Sequence, residues 1–184
     1  MTMRAIGIAK YISAACFCAT VALPLPASAE VEGACSKAVG TFLTTNELDN
    51  NGRAGTSRSL LVLTNGGHAL RFDSDEESAA MDTRPFGNSA GSWRCDGVDD
   101  DGTVRLTVTT LDFTYANAEG DTGQIARIDA TGTYVPETET MTLNAVLAFL
   151  PLNAEAQSAD ALSTAPSKIL ITLTGKRIDL PNAP

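Results

Sequence analysis

The 184-residue chain is poor in the residues that most often carry catalysis or bind metal. It holds one histidine, one tryptophan and four cysteines, and aromatic residues make up 5% of it. A single histidine, His68, with the few cysteines falls short of a closed zinc set. No Gly-x-Ser-x-Gly elbow marks a hydrolase nucleophile. The acidic runs Asp73-Ser74-Asp75-Glu76-Glu77 and Asp99-Asp100-Asp101 lack the spacing of a calcium loop and read as solvated turns. No metal and no cofactor is expected. Basic residues are also scarce, with 13 Lys and Arg against 22 Asp and Glu. Such a surface repels nucleic acid and anionic lipid. From about Lys37 to Ile178 no run of ten or more residues shows helical periodicity, and no apolar run there is long enough to span a bilayer.

What the chain does have begins at its start. Met1-Thr2-Met3-Arg4 and Lys10 form a short positive region, followed by an apolar stretch from Tyr11 to Leu23. Small residues occupy the cleavage positions of Pro24-Leu25-Pro26-Ala27-Ser28-Ala29. This is the pattern of a secretory signal, residues 1–29, ahead of one domain at 30–184. The expected location is therefore periplasmic or extracellular, with no stable membrane insertion. Arg4 and Lys10 are the only charges before Glu30, so removing the signal takes the net charge from −9 to −11. Cys16 and Cys18 leave with the signal. Cys35 and Cys95 remain, in a compartment where disulfides persist, and are expected to pair.

The mature chain reads as eight short strands between turn residues. They cover about Ala38 to Thr45, Ser57 to Thr64, His68 to Asp73, Gly91 to Asp96, a long fifth from Val104 to Tyr115, Gln124 to Tyr134, Met141 to Leu150 and Lys168 to Arg177. Asn46 to Gly52 reads as a turn-rich connection, Asn65-Gly66-Gly67 as a hairpin and Asp99 to Gly102 as a tight turn. In the fifth strand Val104, Leu106 and Val108 share one parity, and Leu111, Phe113 and Tyr115 the other. That switch suggests a β-bulge near Thr109-Thr110. Eight strands with mostly hairpin-length connections predict an all-β, antiparallel up-and-down barrel, and closing the sheet removes two edges. A Greek-key sandwich is the competing arrangement.

Alternation assigns an inner face to Ile169, Ile171, Leu173, Gly175 and Arg177 in the last strand. Met141, Leu143, Ala145, Leu147 and Phe149 take it in the seventh, and Ala126, Ile128, Ala130, Gly132 and Tyr134 in the sixth. In the third strand His68, Leu70 and Phe72 are taken as inward, against Ala69, Arg71 and Asp73. Trp93 shares a face with Cys95 and is expected to be structural.

Gly40-Thr41-Phe42 in the first strand and Lys176-Arg177 at the end of the last resemble the calycin, lipocalin-like group of small-molecule-binding barrels. That family has Gly-x-Trp in the first strand, with a basic residue of the last strand packed over the indole at one end. The resemblance gives Phe42 the aromatic place and Arg177 the basic one; phenylalanine for tryptophan is a departure. Gly91-Ser92-Trp93 does read Gly-x-Trp, but in the fourth strand, where the pattern does not expect it. Leu111 to Tyr115, Gly123-Gln124-Ile125 and Phe149 to Leu152 also resemble uncharacterised exported microbial barrels, a likeness that brings no activity with it.

Three functions fit this frame. The first is a binding module for a small apolar or amphipathic ligand, without turnover, its pocket lined by Leu61, Leu70, Phe72, Leu106, Ile128, Leu143, Leu147 and Ile171. The loops at Ser74 to Ser89 and Pro151 to Pro166 would cap or gate it. The second is an isomerase or cyclase on the same scaffold, with His68 or Tyr134 as the buried polar residue. The third is a barrel filled by its own side chains, acting as an interaction protein.

Overall fold

The structure is a computed structural model describing residues 33–76, 85–116 and 122–179; the segment read as a signal lies outside the described residues. Eight strands form one closed barrel in sequence order. They are β1 (Gly40–Asn50), β2 (Arg53–Leu63), β3 (His68–Asp73), β4 (Ser89–Val98), β5 (Val104–Phe113), β6 (Gln124–Val135), β7 (Thr140–Pro151) and β8 (Lys168–Arg177). Every neighbouring pair is antiparallel, and β1 closes on β8 with Phe42 opposite Arg177 and Asp49 opposite Leu170. The all-β, up-and-down barrel is thus the fold, and the sandwich is excluded. A 3₁₀ turn (Ser36–Ala38) precedes β1, and a single helical turn, α1 (Ala161–Thr164), interrupts the β7–β8 connection. No helix among the described residues is long and apolar enough to cross a membrane.

The turn chemistry explains the connections. Asn51 and Gly52 both have positive φ, 55° and 88°, as a two-residue primed hairpin requires. The amide of Gly52 donates to the Asp49 carboxylate at 2.7 Å. β1 therefore runs on through Asn46 to Asn50, which the sequence places in a connection, and β2 starts at Arg53. Thr64 to Gly67 makes the β2–β3 turn, with the Thr64 amide donating to the His68 carbonyl at 2.9 Å. Asp99 to Gly102 turns β4 into β5.

Two readings of strand parity need correction. The β5–β6 ladder is continuous from Val104 to Phe113, with no bulge at Thr109-Thr110. The register shift lies in β4, between Cys95 and Gly97. In β5 the inward parity simply continues from Val108 to Thr110 and Asp112, both buried. In β3 the faces are reversed: Ala69, Arg71 and Asp73 are buried, while Leu70 and Phe72 are 37% and 40% exposed. Both corrections have one cause. Part of the barrel interior is polar, so hydrophobicity alone points to the wrong face.

The apolar core fills the end of the barrel that holds the β2–β3, β4–β5 and β6–β7 turns. There Phe42 meets Tyr134 edge-on at 5.4 Å between ring centroids. Arg177 caps both rings, its guanidinium carbon 5.4 Å from the Phe42 centroid and 5.1 Å from that of Tyr134. It also donates to the Lys37 carbonyl in the 3₁₀ turn. A β-carbon at Gly40 would stand 3.3 Å from the guanidinium, so a larger residue there would crowd it. Leu61, Leu63, Leu106, Met141 and Leu143 complete this dry end. Trp93 packs half-buried at its edge and donates from Nε1 to the Thr64 carbonyl at 2.8 Å.

Cys35 and Cys95 are joined by a disulfide that spans 60 residues. It ties the segment before β1 to β4, a connection the sheet itself does not make. By the chain-entropy account, closing such a loop contributes about 4 kcal/mol. The Cys35→Ser/Cys95→Ser protein should lose stability on that scale in denaturant-unfolding curves, and reductant should leave the double variant unchanged. An unaltered unfolding midpoint in the variant would show that the bridge contributes nothing.

Candidate functional site

The other end of the barrel carries the β1–β2 hairpin and the connections after β3, β5 and β7. Here the interior changes character. β1 and β2 turn Thr44, Asn46, Ser57 and Ser59 inward, and β3 adds Arg71 and Asp73. These residues satisfy one another. Thr44 Oγ1 donates to Asn46 Oδ1 at 2.9 Å, and Asn46 Nδ2 donates to Asp73 Oδ2 at 3.1 Å. Arg71 forms a buried ion pair with the same carboxylate oxygen, and the Asp75 amide donates to Asp73 Oδ1 at 2.9 Å. A buried pair is tolerated when further hydrogen bonds complete both ions, as they do for Asp73.

Across the interior, β6, β7 and β8 present only apolar side chains: Ala126, Ile128, Leu147, Phe149, Ile169 and Ile171. Between the two walls lies a small cavity. Its freely occupiable part is about 30 Å³, room for roughly two water molecules. Phe86, from the segment entering β4, lines it at the mouth. That segment is held by the Phe86 amide donating to the Glu76 carbonyl at 2.9 Å and by a bridge to Thr114.

Asp112 stands in this cavity with only half of its carboxylate satisfied. Oδ2 accepts a hydrogen bond from the Ser89 hydroxyl at 3.1 Å. Oδ1 is buried and has no partner, and the residue is 4% exposed. Burial pushes its pKa up to about 6, although the Ser89 hydroxyl, the Gly87 backbone and the charge of Arg71 pull the other way. A buried polar atom left without a partner is rare and costs stability, so it calls for an explanation.

The residues proposed from sequence fall into three places. Ile128, Leu147 and Ile171 line the cavity. Leu61, Leu106 and Leu143 are buried in the apolar core. Leu70 and Phe72 lie on the outer wall, the correction already noted for β3. His68 is exposed at the β2–β3 turn, its amide donating to Thr64 Oγ1 at 3.1 Å. Tyr134 is buried at the capped end, at the opposite end of β6 from Ala126. Sequence reasoning missed Arg71, Asp73, Asp112 and Phe86. The strict alternation Val104, Leu106, Val108, Thr110, Asp112 was the signal for Asp112.

The β7–β8 connection does not lie free over the mouth. Ala156 and Ala161 pack with Ile125 and Leu150 in a second apolar cluster on the outer side of β6 and β7. Arg127 pins the connection there, donating to the carbonyls of Ala156 at 2.7 Å and Ser158 at 2.6 Å while pairing with Asp129. Among the described residues, no group of three or more His, Cys, Asp or Glu is placed to hold a metal ion. No family model, curated protein or solved structure matches this chain.

The raised pKa of Asp112 has a definite effect on folding. Between about pH 4 and pH 6 the folded protein keeps a proton that the unfolded chain releases. Stability therefore falls as pH rises through that window, and above it the folded state carries a penalty of about 2–3 kcal/mol. Asp112→Asn should stabilise the protein on that scale at pH 7 and have little effect at pH 4, as measured by denaturant unfolding at both values. An Asn variant equally or less stable at pH 7 would mean that the carboxylate is solvated or paired.

Proposed function

We propose that this protein is an exported binding barrel that holds one small amphipathic ligand in its open end, without turnover. The observation that carries this reading is the Asp112 carboxylate, buried with a free oxygen across a cavity from a wholly apolar wall. One side of the cavity suits an apolar body and the other a polar head, as in sites that fix orientation with few polar groups. Export is supported by the signal-like first 29 residues and by the Cys35–Cys95 disulfide. A surrounding of water rather than lipid is supported by the outer wall, where Glu47, Asp49, Arg58, Arg94 and Arg105 are exposed. Kinship with lipocalin-like barrels is supported by the closed eight-stranded meander and by Arg177 stacked on Phe42.

The isomerase or cyclase reading draws on the same carboxyl, since a buried acid with a raised pKa can move a proton. It is the weaker reading because such chemistry needs a second group on the substrate, and Arg71 is already committed to Asp73.

Native mass spectrometry of the purified protein, followed by organic extraction, tests the proposal. One small amphipathic molecule per barrel is expected. Leu147→Trp, which fills the cavity from its apolar side, should abolish its retention while the far-ultraviolet circular dichroism stays that of the barrel. A clean mass with nothing extracted would show a barrel filled by its own side chains.

A further inference from the structure

The charges around the cavity narrow the chemistry of the polar head. Among the described residues that line it are three carboxylates, Asp73, Asp75 and Asp112, and one cation, Arg71. Arg71 is engaged by Asp73, and the Asn46 amide and the Asp75 backbone complete that carboxylate. Asp112 has only neutral donors, the Ser89 hydroxyl on Oδ2 and the Gly87 backbone, and its Oδ1 has no partner. Glu76, in the connection leaving β3, adds a further negative charge felt at Asp112. The other cavity faces, from β6, β7 and β8, contribute no titratable group. The site is therefore short of one positive charge and one hydrogen-bond donor, both at Asp112 Oδ1.

From this geometry we infer that the ligand is a small organic ammonium ion, a primary amine on a short apolar body, with its nitrogen donating to Asp112 Oδ1. The inference rests on the binding-barrel reading and specifies its ligand. An ammonium group supplies both missing elements at once, and a charge-assisted hydrogen bond in a sheltered site is about twice as strong as a neutral one. A carboxylate head meets the like charge of Asp112, and the one guanidinium among the described lining residues is already paired with Asp73. A hydroxyl head supplies the donor without the charge. The apolar wall of Ile128, Leu147, Phe149, Ile169 and Ile171 takes the body, and the small free volume keeps that body short. Binding would also relieve the folded protein of the unpartnered oxygen, so the ligand should stabilise the fold by mass action.

The test is a matched series of short compounds, ethylamine, ethanol and acetate, titrated into the purified protein by calorimetry or by methyl NMR shifts. At about pH 7.5 ethylamine should bind roughly tenfold more tightly than ethanol, or better, with acetate weakest. The amine's advantage should fade below about pH 5, where Asp112 takes up its proton, and Asp112→Asn should remove it at every pH. Ethanol or acetate binding as tightly as the amine would overturn the inference while leaving the binding barrel standing. So would an amine preference that survives in Asp112→Asn. Failure of all three compounds to bind the wild-type protein would overturn the inference and the binding barrel together.

Discussion

The closure of β1 on β8 is the constraint on which the rest of the structure depends. Once those two strands pair, every strand has a neighbour on both sides and alternate residues are committed to an enclosed interior. Closure also sets Phe42 beside Arg177 across the ladder, and from there the guanidinium covers both Phe42 and Tyr134. One end of the barrel is thereby capped by a cation on two rings, with the 3₁₀ turn drawn onto it through the Lys37 carbonyl. The opposite end is left for a different use.

That other end is lined quite differently. A chain selected only for stability would have lined the upper interior of β1, β2, β3 and β5 with leucine and valine, as it lined the lower half. Instead the inward positions hold Asn46, Ser57, Ser59, Arg71, Asp73 and Asp112. Most of these form a satisfied network, which confers definite geometry for little net stability. Asp112 is outside that network and lowers stability at neutral pH. A buried carboxylate with an unpartnered oxygen, in a cavity and beside an apolar wall, has the physical profile of a functional residue. The β7–β8 connection, meanwhile, is locked to the outer wall by Arg127, so it braces the sheet that presents the apolar wall.

Much of the fold was legible in the sequence because β-structure announces itself twice, in alternation and in turns. Asn51-Gly52, Gly66-Gly67 and Asp99 to Gly102 mark three of the reversals, and the apolar inner faces of β6, β7 and β8 follow from period two alone. The site was far less legible. Alternation reports only that two faces differ, and assigning the apolar one to the inside fails where the inside is polar. In β3 that rule turned Leu70 and Phe72 inward and Arg71 and Asp73 outward, the reverse of their positions. In β5 it required a bulge to explain Leu111, Phe113 and Tyr115, when the inward row ran straight on to Asp112. The residues that make the site chemically distinctive were hidden by the property that makes them useful.

The central claim, that Asp112 is a buried carboxylate with one unpartnered oxygen at the end opposite the Arg177 cap, is tested most directly by a side-chain carboxyl NMR titration of that residue in the ligand-free protein. The account predicts a midpoint near 6. A midpoint near the ordinary aspartate value of 3.8 would place the group in water or in a pair, and would contradict the account.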